Sequence, residues 1–238
     1  MINKNVKLKL DFSKHYKHEN SKPLSKLWPL SMLRKSIFNE GLHPDFHIDN
    51  WDNTYNVISN QLNEVLNKAQ ELTGLQLKAL TIDVSMSKYH NTGHSDTIVG
   101  KKPSINLYLN SETSLNTQLD ALKFSAARGV KHIMLNDSRS GIKLHEKGYE
   151  YQTAFTADQF AKMVTGSSNI GLDDNIGDGM THPSTLRRKA ALQKDTYKGI
   201  VLENIESAKL AASKGEEFNS YADYVKNRER YEKIGKGI

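Results

Sequence analysis

The stretch "WDNTYNVISNQLNEVLNKAQELTG" constrains the fold more than any other part of the chain, because its apolar residues recur at helical spacing without interruption. Tyr55, Ile58, Leu62, Val65, Leu66, Ala69 and Leu72 make one stripe, which marks a helix with a single buried face. Asp49 or Asp52 suits its N-cap, and Gly74 suits its stop. Such a stripe needs a surface to cover, and the following segments supply one. Leu80, Ile82, Val84 and Met86 alternate with polar residues, as do Ile105, Leu107 and Leu109, the period-two pattern of strands with one core-facing side. Near the N-terminus, Val6, Leu8, Leu10 and Phe12 alternate with Lys7, Lys9 and Asp11. That pattern predicts a strand whose lysines guard a sheet edge against further pairing.

Further along, "SLNTQLDALKFSAARG" predicts a helix capped by Ser111 or Ser114 and ending at Gly129. "VKHIMLND" then predicts a short buried strand, "SRSG" a turn, and "IKLHEKGYEYQTAF" a hairpin turning near Lys147 and Gly148. A short helix capped by Thr156 follows, and another is predicted over Pro29 to Asn39. The expected class is therefore α+β: a mixed β-sheet core with packed helices over residues 1–165, a Gly/Asp/Ser-rich linker at 166–182, and a helical C-terminal region at 183–238. In that region Pro183 opens a helix of about nine turns with a bend at Gly199. The tail places Tyr221, Tyr224, Val225 and Tyr231 on one face of a final helix.

Composition narrows the function classes. The absence of cysteine excludes a disulfide framework, thiolate-ligated zinc and a thiol nucleophile. No apolar run approaches the roughly 18 residues a membrane span needs, and the N-terminus lacks a signal-peptide core, so a soluble, cytoplasmic protein is expected. The net charge of +6 is unevenly placed. Residues 1–38 carry nine Lys/Arg against Asp11 and Glu19; residues 39–179 carry 12 against 17 Asp/Glu; residues 180–238 carry 12 against 8. Basic ends flank an acidic middle, which suits an anionic partner such as nucleic acid.

The candidate nucleic-acid contacts are Arg187, Arg188, Lys189 and Lys194 in "LRRKAALQK", Lys101 and Lys102, and Arg139 in the polar loop "NDSRSGIK". Basic residues in the first turn of a helix oppose the favourable sign of its dipole, which points to a purpose beyond helix stability. "KNRERYEK" adds Lys226, Arg228 and Arg230 beside Tyr231, a charge-and-aromatic mixture of the kind that binds single strands. The chain is expected to be a nucleic-acid-associated binding protein without a readable catalytic motif. Its small size and Lys/Asn-rich polarity suggest a phage or mobile-element setting.

Two alternatives come from other features. "SKYHNTGHSDTIVGKK" carries His90 and His94, but Gly93 breaks the helical meaning of their spacing, so the stretch reads first as a polar connection between two strands. If Asp83 and Asp137 lie beside them, the four side chains would suit a divalent metal and a phosphodiester hydrolase. His15/His18 and His43/His47 are weaker pairs, and "DDNIGDG" lacks the calcium-loop register. The tyrosine-bearing tail and long C-terminal helix instead suit a homo-oligomer, an assembly subunit such as a virion protein.

Overall fold

The computed structural model describes residues 6–11, 41–77, 79–87, 92–93, 95–137, 147–171, 177–179 and 182–236. Four strands make one sheet in the order β1-β2-β4-β3: β1 (Val6–Asp11), β2 (Leu80–Ser87), β3 (Ser95–Ile98) and β4 (Ser104–Asn110). β1 runs parallel to β2 and β2 parallel to β4, while β3 is antiparallel to β4. The chain is α+β with a mixed sheet, and β1 occupies the edge that its alternating lysines fit. The connection from β2 to β4 is more than a loop, because Ser95–Ile98 add the second edge strand.

One side of the sheet is the core. Leu80, Ile82, Val84, Met86, Ile105, Leu107 and Leu109 are all buried. Two helices cover them: α1 (Trp51–Thr73), whose Ile58, Leu62, Val65, Leu66 and Ala69 face inward, and α2 (Leu115–Met134). α1 begins after Asn50, not at either aspartate, and ends where Gly74 takes a left-handed φ of 65° and its N–H reaches the Gln70 carbonyl at 2.7 Å. α2 follows Ser114. Its first N–H, from Leu115, is accepted at 2.8 Å by the Asp45 carboxylate, far away in sequence.

Gly129 does not stop α2. The helix runs on to Met134, and "VKHIM" is its last turns, not a strand. A side chain at Gly129 would meet Ile105 of β4 at 2.9 Å. The glycine therefore lets helix and sheet approach, a use that cannot be told from a helix stop by composition alone.

From Lys147 onward, the segment expected to form the second half of a hairpin and then a short helix is a single helix, α3 (Lys147–Thr165), with Thr156 in its interior; the first half of the expected hairpin lies outside the described residues. α3 packs against α1 and α2 and also against the C-terminal helices. Consequently it is buried almost all round: Phe155, Ala157, Phe160 and Ala161, but also Glu150, Gln152, Thr153, Asp158 and Gln159. Beyond it lie α4 (Thr185–Gln193), α5 (Lys198–Ser213), α6 (Ser220–Lys226) and α7 (Arg228–Lys236). The expected nine-turn helix is thus two helices, broken at Lys194–Tyr197 and not at Gly199. Asp195 adopts a positive φ of 49° there, and its carboxylate accepts from Gln159 and Lys162 of α3, both at 2.8 Å. Leu192, Val201, Ile205 and Ala208 from these helices join the same apolar core as the sheet. The expected helix over Pro29–Asn39 lies outside the described residues.

Replacing Gly129 with alanine should overpack the α2–β4 contact. The expected loss is about 1–3 kcal/mol, measurable as a lower urea midpoint with unchanged slope.

Candidate functional site

The sequence candidates fall into three physical situations. His90, His94 and Arg139 lie outside the described residues. Their neighbours Thr92 and Gly93 are held firmly: the Thr92 hydroxyl donates to Gln118 of α2 at 2.5 Å, and a side chain at Gly93 would collide with the backbone of Ile170 and Gly171. Gln118 also spans Asn110 and Thr113. The carboxyl end of β4, on the side where ligands of parallel sheets favour binding, is thus tied to α2 by the Gln118 amide.

Asp83 and Asp137, the proposed carboxylates of a metal centre, have unrelated surroundings. Asp83 sits on the outer, polar side of the sheet, opposite Lys9 in register and 3.6 Å from its ammonium. Asp137 is buried just beyond α2, where its carboxylate takes a short contact from the Lys131 ammonium and a 3.1 Å bond from His132 Nδ1. Among the described residues no three His, Asp or Glu side chains gather as a metal-binding group.

The Asp137 cluster is internally matched. Burial alone would raise its carboxyl, but Lys131 and His132 outweigh burial and hold it below the usual range. With Asp137 ionised and able only to accept, His132 Nδ1 carries the proton. Burial pushes the imidazole below its ordinary value against the opposing pull of Asp137, so the ring is neutral. Nearby Tyr149 is pushed up to about 12, first by burial and then by the Asp137 charge, and its hydroxyl pairs with Ser220 at 2.7 Å.

The basic run "LRRK" divides between core and surface. Arg188 is 2% exposed, and its guanidinium grips Asp158 of α3 through two bonds of 2.7 Å. Arg128 of α2 meets the same carboxylate at 2.8 Å. Arg188 is therefore an internal tie and unavailable to phosphate. Arg187 points outward, pairs with Asp178 at 3.0 Å, and lies over the rings of Tyr151 and Phe155. Lys189 is half-buried, whereas Lys194 is exposed. Lys101 and Lys102 are exposed in the turn between β3 and β4.

The tail places its cations and its aromatic rings apart. Tyr224 and Tyr231 are buried and stacked 5.8 Å apart, and the Tyr231 hydroxyl donates to Asp223. Burial and that bond raise the phenol further. These rings are not free to stack on bases. The cations, by contrast, line an open groove of about 800 Å³ along α6 and α7: Lys226, Arg228, Arg230 and Lys233, with Glu229 as its one carboxylate and Val225 and Ile234 as its apolar members. Lys233 is the member that motif reading passed over; its spacing from Lys226 and Arg230 on the tail helices is the signal that could have found it. Arg228 is also bonded to Glu232 at 3.0 Å, and Arg230 makes two bonds to Glu203 of α5.

Comparison of the chain with protein-family models, with curated proteins and with solved structures yields no match. Among the described residues no helix is long and apolar enough to cross a membrane.

Replacing Asp158 with alanine should cost about 3–5 kcal/mol, because two buried guanidiniums lose their counter-charge. Arg188→Ala should likewise lower the unfolding midpoint, and a surface role would leave that midpoint unchanged. The His132 cluster sets a pH dependence. An unfolded histidine protonates near its reference value of 6.5 while the folded ring resists, so stability is full above that pH and declines below it. A second decline begins below 3.8, where unfolded Asp137 takes a proton that the folded carboxylate refuses. Urea unfolding across pH should show both, and His132→Asn should abolish the first while making the second smaller, since His132 helps to hold Asp137 ionised.

Proposed function

We propose that the protein associates with nucleic acid through its phosphate backbone, using the basic groove of α6 and α7. The observation that carries this reading is the convergence of Lys226, Arg228, Arg230 and Lys233 on one open groove. Cations spaced along a groove displace the condensed counterions of a polyanion, and that release favours binding whatever the base sequence. The charge asymmetry of the chain agrees, since residues 180–238 carry the cationic excess to which this groove belongs. With Tyr224 and Tyr231 buried, the groove offers phosphate contact without aromatic stacking. Sequence-independent affinity is the corresponding expectation. Lys101 and Lys102 are exposed in the β3–β4 turn; the groove, which gathers four cations, is the better-formed surface.

Binding to a random-sequence duplex should weaken steeply with salt, with a log–log slope of about −3 to −4 if all four cations engage phosphates. Lys226→Ala with Lys233→Ala should make that slope shallower by about 2, while the thermal midpoint stays near that of the parent. Salt-independent binding, or an unchanged slope in the double variant, would overturn the reading. Lys101→Ala with Lys102→Ala, measured the same way, reports separately on the β3–β4 turn.

A further inference from the structure

A second groove lies beside the basic one, and its charge is opposite. It is an open depression of about 450 Å³ between α5 and the α6–α7 tail, lined by Glu203, Glu206 and Asp223 together with Leu202. No lysine or arginine is among its lining residues; at its rim Lys209 pairs with Glu206 at 2.8 Å. Asn227 borders both grooves, and the Arg230–Glu203 ion pair spans the boundary between them. Each groove also presents an apolar side chain that a monomer gains nothing by exposing: Leu202 is 43% exposed at the acidic groove, and Val225 is 53% exposed at the basic one.

We infer that the occupant of the acidic groove is the basic groove of a second copy of this chain. Three carboxylates on one side, and four cations set against the single carboxylate of Glu229 on the other, leave the two grooves with opposite net charge, and Leu202 and Val225 supply the apolar contact that such a charged rim surrounds. The pairing Arg230 makes with Glu203 inside one molecule shows the contact chemistry that the second copy repeats between molecules. Because the interface uses two different surfaces, a copy whose acidic groove is altered still offers an intact basic groove, and the reverse also holds. Nucleic acid and a second copy compete for the basic groove, so polyanion should dissociate the assembly. The self-association itself needs no nucleic acid and stands independently of the function proposed above.

Sedimentation of the full chain from micromolar to submillimolar concentration tests the inference, at low and at high salt and without nucleic acid. The expected result is concentration-dependent association that salt weakens. Glu206→Lys and Lys233→Glu should each weaken it by about tenfold or more, since each places like charges together. An equimolar mixture of the two variants should associate more strongly than either alone, because one unaltered acid-to-base contact forms between them. Both side chains are exposed, and a thermal melt of each variant confirms the fold. In the duplex assay Glu206→Lys should retain binding and Lys233→Glu should lose part of it, which separates this inference from the nucleic-acid reading. A chain that stays monomeric throughout, variants that associate like the parent, or a mixture no better than its components would overturn it.

Discussion

The rest of the architecture turns on one carboxylate. Asp158 sits at the middle of the buried helix α3 and receives Arg128 from α2 and Arg188 from α4. α2 lies on the sheet, so this single group links the sheet layer to the C-terminal helices. The geometry is directional where an apolar contact is not: the fork of Arg188 fits both oxygens of one carboxylate and fixes the rotation of α4 against α3. Lys162 with Asp195 repeats the arrangement farther along α3, and Lys131 of α2, paired with Asp137, also donates to Thr156 of α3 at 3.0 Å. A helix buried on all sides usually carries apolar residues all round. This one carries charges and amides whose partners lie on the neighbouring helices, and those partners specify where each neighbour sits.

That design explains which parts of the fold were legible in the sequence. α1, β1, β2 and β4 are half-buried elements, and a half-buried element must display its period. Ile58, Leu62 and Leu66 on the helix and Leu80, Ile82 and Val84 on the strand do so. α3 has no exposed face to contrast with its buried one, so "GYEYQTAFTADQF" shows no stripe, and its glycine and tyrosines resemble a hairpin. Gly129 is ambiguous for a different reason. A glycine chosen for close approach to Ile105 looks the same as one chosen to end a helix. The break at Asp195 depends on Gln159 and Lys162, which are distant in sequence, so no local signal announces it.

The candidate site was legible as charge but not as place. Arg187 and Arg188 are adjacent letters with opposite fates, because successive residues on a helix point about 100° apart and only one of them faces α3. In the tail the same separation sends Tyr231 inward and Arg230 outward. A run of basic and aromatic residues thus divides into a core contribution and a surface contribution, and only the second bears on function. The metal reading required Asp83 and Asp137 to be neighbours. The register instead gives Asp83 to the outer face of the sheet, beside Lys9, while Asp137 is held by the end of α2.

The pairing of Val6 with Leu80 has a consequence for the order in which the molecule assembles. β1 comes first in chain order among the described strands, yet β2, its partner there, lies beyond the whole of α1, so the chain must close a long loop before this pairing gains any hydrogen bond. β2, β4 and the two helices that cover them are close in sequence and can condense first. Until β1 docks, the flank of β2 remains an unsatisfied parallel edge beside the buried Leu80, Ile82 and Val84. The lysines of β1 therefore protect more than a finished surface: the strand that bears them covers an edge of β2 that stays open until the long loop has closed.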